Sequence, residues 1–137
     1  MVDPLTYESV LREFSGVHVI GDSQATKQPK SAHMANAQAK VCADAIIRNF
    51  TGKSTIGIER ITNITTNSAC YSPITHNKAS WLKANYAYDI GSNQMVATQV
   101  GEAEEWSKEN YQQMFDWAEN LFNDSFGHKF LFESSVP

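Results

Sequence analysis

Apolar residues recur in two rhythms along this chain, and the first is helical after a short β run. Val17, Val19 and Ile20 form a β-branched stretch of the kind a strand interior favours, which predicts a short buried strand over 17–20. Gly21 ends it, and Asp22 stands at its carboxyl end, where α/β sheets bind ligands. A polar loop follows. Pro29 and Ser31 mark a helix start, because Pro tolerates the first turn and Ser caps it. The helix is expected to run to about Phe50 and stop at Gly52. Ala35, Ala39, Cys42, Ile46 and Phe50 lie close to one face, with Met34, Val41 and Ala45 beside it. The stripe is broad, which predicts a well-buried helix. Residues 1–16 read two ways. Asp3-Pro4 is a turn signal, while Tyr7, Val10, Leu11 and Phe14 would also make one apolar helical face.

Gly52 and Gly57 flank a connection carrying Lys53, and from Arg60 onward the rhythm becomes that of strands. ITNITTNSACYS alternates Ile and Thr with Asn and Ser, which suits a strand with one polar face. In Trp81 to Ile90, Leu82, Ala84, Tyr86, Tyr88 and Ile90 share one face, opposite Lys83, Asn85 and Asp89. Gly91-Ser92-Asn93 reads as a turn and Met95 to Val100 as a second strand, which together predict a hairpin. With the Cys70 strand it would form a small antiparallel sheet. From Glu102 to Phe126 the period returns to helical: Tyr111, Met114, Phe115, Ala118, Leu121 and Phe122 recur at i, i+3, i+4 and i+7. Glu102, Glu104 and Glu105 lie at or before its start, where negative charge suits the dipole, and Gly127 reads as its C-cap. The last residues, HKFLFESSVP, either dock on a neighbour or stay loose. The expected fold is α+β: a strand–loop–helix unit in residues 1–58, then a small antiparallel sheet with a C-terminal helix in residues 59–137.

Composition narrows the function. A chain of 137 residues, 42% apolar and 19% charged, has the size and balance of one globular domain. A net charge of −4 with no basic stripe argues against nucleic acid. No apolar run approaches the ~20 residues of a membrane span, and no signal peptide is visible. Two cysteines, Cys42 and Cys70, fit neither a disulfide framework nor a zinc site. The four histidines form no metal constellation: His18 is packed in its strand, His33 sits in the first helical turn, and His76 and His128 lie in a loop and after a helix. No G-x-S-x-G elbow supports a hydrolase. No G-x-G-x-x-G opens a βαβ unit, so the usual seat for a dinucleotide pyrophosphate is missing.

The candidate chemistry lies at two places. Asp22, Lys30 and the helix N-terminus at Ser31 and Ala32 converge across one loop. An acceptor for hydroxyls, a cation and free N–H groups suit a ligand with both a polyol and an electron-rich carbonyl. The second place is Cys70, whose neighbours Asn67, Ser68, Tyr71 and Ser72 are more polar than those of an inert core thiol. Cys42 lies among apolar helix positions and reads as a small buried hydrophobe.

VHVIGDS, PKSAHMANAQAKVCADAI and NSACYS together resemble the C-terminal third of the flavoprotein subunit of flavocytochrome c sulfide dehydrogenase. The resemblance begins near VDPLTYES and continues more weakly to NDSFG. The GD…PKS…AKV pattern is shared with a wider group of flavoproteins that includes the sulfide:quinone reductases. The CYS segment, with the Trp/Tyr-rich tail, points to the flavocytochrome branch. The resemblance implies FAD as cofactor. Gly21 and Asp22 would hold its ribityl chain, with Lys30, Ser31 and Ala32 at the pyrimidine end of the ring. It implies that residues 1–16 approach the strand in extended form, and that Cys70 is one half of a redox disulfide whose other cysteine lies upstream. Sulfide would attack that disulfide, and electrons would pass through FAD to a cytochrome c subunit, in the periplasm. The chain resembles what remains when the larger N-terminal part of such a protein is removed. Alone it is therefore expected to bind FAD weakly or not at all and to form a homo-oligomer through the uncovered helix face. Two alternatives stay open: a flavoenzyme that reduces a quinone, and a non-catalytic interface module anchored by Trp81, Tyr86, Tyr88, Trp106 and Trp117.

Overall fold

The computed structural model describes residues 1–127; the segment HKFLFESSVP, with His128, lies outside the described residues. In chain order the elements are α1 (Ala32–Phe50), α2 (Ile58–Ile61), β1 (Thr65–Thr75), β2 (Lys78–Asp89), β3 (Gln94–Glu102) and α3 (Lys108–Phe126). The strands form one antiparallel sheet in the order β1-β2-β3. The fold is α+β, as the two rhythms of the sequence predict. The chain divides into two compact units, one of Met1–Ala69 with Lys83–Val100, the other of Cys70–Leu82 with Gly101 onward.

The first unit is built on α1. Ser31 caps it, its Oγ accepting the Met34 N–H at 3.1 Å. At the other end Gly52 takes φ +67°, a conformation open to glycine without strain. The buried face is Met34, Ala37, Gln38, Val41, Cys42 and Ala45, an i, i+3, i+4, i+7, i+8, i+11 stripe. This is turned from the face expected. Ala35, Ala39 and Ile46 are only half-buried, and Phe50 is 88% exposed. The reason is what α1 packs on: Val41 and Cys42 meet Leu5, Tyr7, Ile64 and Met95, so residues from three other segments choose the stripe.

The segment before α1 corrects the reading of a buried strand over 17–20. These residues are extended, but they pair only locally: His18 bridges Glu8, Ser9 N–H donates to Val17 O and Val19 N–H to Tyr7 O. Val17 and Ile20 are exposed, because no sheet lies beside them within the described residues. The helical option for 1–16 also falls. Asp3 caps a turn by accepting the Leu5 N–H at 2.8 Å, Tyr7 turns into the left-handed region at φ +57°, and only Arg12–Phe14 makes a single 3-10 turn. Tyr7 alone of the four apolar positions is buried; Val10, Leu11 and Phe14 are exposed. Burial pushes the Tyr7 hydroxyl up to about 12, against the lowering effect of its bond to Gln28.

The strand rhythm also starts later than Arg60. Residues 58–61 are the short helix α2, and β1 opens at Thr65. Arg60 turns inward and is 5% exposed. Its Nε donates to Asp44 Oδ2 at 2.6 Å, one terminal nitrogen to Thr55 O at 2.8 Å, and the other to Leu5 O at 2.8 Å and Val41 O at 3.3 Å. The hairpin follows its prediction. β2 and β3 turn through 90–93, where Asp89 accepts from the Ser92 N–H and hydroxyl, which holds its carboxyl below the usual carboxylate range. Ala84, Tyr86, Tyr88 and Met95 face the core, while Ile90 is exposed.

In the second unit, α3 begins at Lys108 rather than Glu102. The backbone explains the shift: Ala103 N–H donates to Trp81 O, and Ala79 and Ser107 exchange both hydrogen bonds, so the chain stays paired with β2 up to residue 107. Ser107 then caps α3, its Oγ accepting the Asn110 N–H at 3.0 Å. Gly127 closes it at φ +67°, donating to Asn123 O. The apolar stripe of α3 contains no fully buried residue. Trp117 lies against Tyr71 with ring centroids 5.5 Å apart, and Trp106, Phe115, Phe122 and Phe126 are exposed.

Candidate functional site

The loop between Ile20 and α1 is shaped by glycine at one end and lysine at the other. Gly21 has φ +73°, and a Cβ there would meet Ala35 Cβ on α1 at 3.4 Å. The backbone thus lies directly on the helix in a conformation that side chains disfavour. Its N–H donates to Gln38 Oε1 at 2.7 Å. Asp22 follows in a single 3-10 turn, Gly21–Ser23, with its side chain exposed. Lys30 closes the loop. Its Nζ donates to Asp22 O at 2.8 Å and to Gln24 O. An ammonium has three N–H groups, so Lys30 is first a loop clamp, with one donor left over.

Ser31 and Ala32 stand at the positive end of α1. Ser31 Oγ, besides capping the helix, shares a hydrogen bond of 2.8 Å with Ser68 Oγ. His33 Nδ1 accepts the Ala69 N–H at 3.1 Å, and its Nε2 lies 3.4 Å from the Asn67 amide. With Nδ1 accepting from a backbone amide, the neutral ring carries its proton on Nε2. The first turn of α1 is therefore fastened to β1 at Ser68 and Ala69. Gly21, Asp22, Lys30, Ser31 and Ala32 come together as the sequence leads one to expect. The arrangement fits a polyol-carrying ligand: an exposed carboxylate one residue past a glycine in the left-handed region, beside helix N–H groups. Cys70 is the next residue along β1 and is exposed; Cys42 is buried, and burial raises its thiol above the ordinary value.

Residues 63–126 match the family model described as flavocytochrome c sulphide dehydrogenase, flavin-binding. This part of the chain is similar to that family. The flavocytochrome c sulphide dehydrogenase match runs from Asn63 through all three strands to the last residue of α3. It includes Cys70 but not the Gly21–Ala32 loop. The family is that of an oxidoreductase flavoprotein, and its name carries a cytochrome c. No described helix is long and apolar enough to cross a membrane.

Sequence reasoning missed the groups that hold the Gly21–Ala32 loop in place. Tyr7 OH donates to Gln28 Oε1 at 2.9 Å, Gln38 Nε2 donates to the same oxygen at 3.1 Å, and Gln28 Nε2 donates to Thr66 Oγ1. All four residues are buried. A signal existed for one of them. Gln38 is the polar member of the stripe Met34, Ala37, Val41, Ala45, and a buried amide needs partners. His18 is packed rather than ligating, its Nδ1 2.9 Å from Thr6 O.

Proposed function

We propose that this chain is the C-terminal part of an FAD-dependent sulfide dehydrogenase, its first 58 residues closing an FAD-binding domain and residues 59–137 forming the flavocytochrome-type C-terminal domain. The observation that carries the reading is the family match over residues 63–126, which contains an exposed Cys70. FAD, when bound, supplies an acceptor for an electron pair that can leave one electron at a time. Asp22 accepts hydrogen bonds from the ribityl hydroxyls. The remaining Lys30 donor and the amides at Ser31 and Ala32 stabilise negative charge at the carbonyl end of the ring. Cys70 is half of a disulfide whose other cysteine belongs to an upstream segment. Hydrosulfide attacks one sulfur and forms an S–S bond; the other sulfur leaves as a thiolate, which carries the electron pair onward. The electrons go to a cytochrome c subunit, following the family name, rather than to a quinone, and the setting is periplasmic.

The test of the loop assignment is titration of the full chain with FAD, read by flavin fluorescence. The polyol and ring contacts are only part of what holds a dinucleotide, so binding is expected to be weaker than micromolar, and the isolated chain to be inactive. Asp22→Asn should weaken it further by about tenfold, the loss of a charge-assisted hydrogen bond. A sub-micromolar constant refutes the weak-binding expectation, and equal binding by the variant overturns the loop assignment.

A second reading, an oligomerisation module, is favoured by the first unit's surface. Gly16, His18, Ile46, Asn49 and Phe50 line an open cavity of about 370 Å³. Val10, Leu11, Phe14, Val17, Ile47, Ile56 and Ile58 of the same unit are exposed. Contiguous apolar patches of several hundred Å² rarely stay bare on a monomer. Light scattering of the purified chain is expected to give a homo-oligomer; a clean monomer at high concentration counts against it.

A further inference from the structure

Gln38 lies in the middle of an apolar helix stripe and has no exposed surface, flanked by Met34, Ala37, Val41, Cys42 and Ala45. A leucine would fill that place at no desolvation cost, so the amide is retained for what it bonds. One backbone donor orients the whole network. The Gly21 N–H can only donate, so the atom 2.7 Å from it is Gln38 Oε1. Gln38 Nε2 then faces Gln28, whose near atom must be Oε1, at 3.1 Å. Tyr7 OH and Thr26 Oγ1 converge on that same oxygen at 2.9 and 3.2 Å, and Gln28 Nε2 is left for the Thr66 hydroxyl. No amide can flip without setting donor against donor. The residue at the end of this chain is Gly21, held at φ +73° against Ala35, one peptide before Asp22.

We propose that Gln38 is a positioning residue for the ligand that Asp22 contacts. Through the Gly21 N–H it sets the left-handed turn in advance, so a polyol chain meets an ordered Gly21–Asp22 turn instead of having to order it. Lys30 holds the far side of the same turn through Asp22 O, and Gln38 supplies the side anchored in the core. The proposal rests on the reading that Asp22 contacts the ribityl chain of FAD.

The test uses the full chain, FAD as the probe, and two amide readouts: hydrogen exchange at Gly21, and FAD-induced shifts at Gly21 and Asp22 in ¹⁵N–¹H spectra. Gln38→Leu removes the acceptor and keeps the volume; Gln38→Met replaces it if the leucine variant does not fold. Either should lower Gly21 protection at least tenfold and raise the FAD dissociation constant about tenfold, the cost of ordering one backbone residue on binding. Gln38→Glu keeps an acceptor for Gly21 and, in the protonated form whose hydroxyl can donate to Gln28 Oε1, should restore Gly21 protection. Cys42→Ala, one turn along the same stripe, should lower the urea midpoint and leave both readouts unchanged. If Gln38→Leu loses stability yet binds FAD as the wild type does, or if Cys42→Ala weakens FAD to the same extent, Gln38 is structural and the proposal is overturned. Absence of any FAD shift at 21–22 in the wild type at millimolar FAD, a concentration that populates even a weak complex, instead overturns the flavin reading, and with it the ligand half of the proposal. Exchange at Gly21 still decides whether Gln38 sets the turn.

Discussion

Arg60→Met is expected to cost the chain about 2–4 kcal/mol of stability, the range for breaking a buried hydrogen-bond network. The guanidinium, 5% exposed, bonds Asp44, Thr55 O, Leu5 O and Val41 O. Two of these partners recover easily. Asp44 has a side chain 48% exposed and rehydrates, and Val41 O lies within α1, where the helix ladder serves it. The loss falls on Leu5 O and on the packing around the stem, because Leu5 is a buried core residue. Arg60→Lys should recover less than half, since an ammonium cannot present donors in three directions along a plane. Urea unfolding checks both: the midpoint falls while the slope stays constant. The same substitution alters the acid limb. Arg60 first, with Arg48 beside it, holds the Asp44 carboxyl below the usual carboxylate range by hydrogen bonding. A carboxyl lowered in the folded state adds stability above its unfolded value and loses it as pH falls through the folded value. Arg60→Met should therefore make stability less dependent on pH below the unfolded carboxylate range. An unchanged midpoint in the methionine variant would show that Arg60 is not the anchor its bonds describe.

Cys70 is expected to be alkylated roughly a hundredfold faster than Cys42 in the folded chain, and the two alike once it is denatured. Two effects act in the same direction. Cys70 is exposed on β1, whereas Cys42 lies in the core with Tyr7, Val41 and Ile64. Burial also raises the Cys42 thiol, which lowers its thiolate fraction at neutral pH. Peptide mapping after a short iodoacetamide pulse reads the ratio. Labelling of Cys42 first would mean that the core around α1 opens readily, and would overturn the proposal that Cys70 is the reactive thiol.

Much of the local structure was legible because it depends on local chemistry. The α1 cap at Ser31, the β2–β3 turn at 90–93 and the Gly127 cap each rest on residues that act within a few positions of themselves. The loop residues Gly21, Asp22, Lys30, Ser31 and Ala32 were legible for the same reason. Their convergence needs only one turn and one helix start.

What the chain alone determined, then, was the type of each main element and the chemical character of its loop and cysteines, since periodicity and capping are properties of consecutive residues. The tertiary structure decided which way those elements turn. The buried face of α1 moved to Met34, Gln38, Val41 and Ala45 because Leu5, Tyr7, Ile64 and Met95 chose it. Arg60 went inside because acceptors at Leu5, Val41 and Asp44, far along the chain, surround it together with the nearby Thr55 carbonyl. Residues 103–107 stayed with β2 because Trp81 and Ala79 offered their carbonyls. A strand at 17–20 needed neighbours, and among the described residues it pairs with Tyr7, Glu8, Ser9 and the Phe14 carbonyl, none of them in a sheet. For α1, Arg60 and residues 103–107 a deciding partner lies far along the sequence, and a pattern read over neighbouring residues does not contain it; for 17–20 the pattern fits a strand, and the sheet it would need is not beside it.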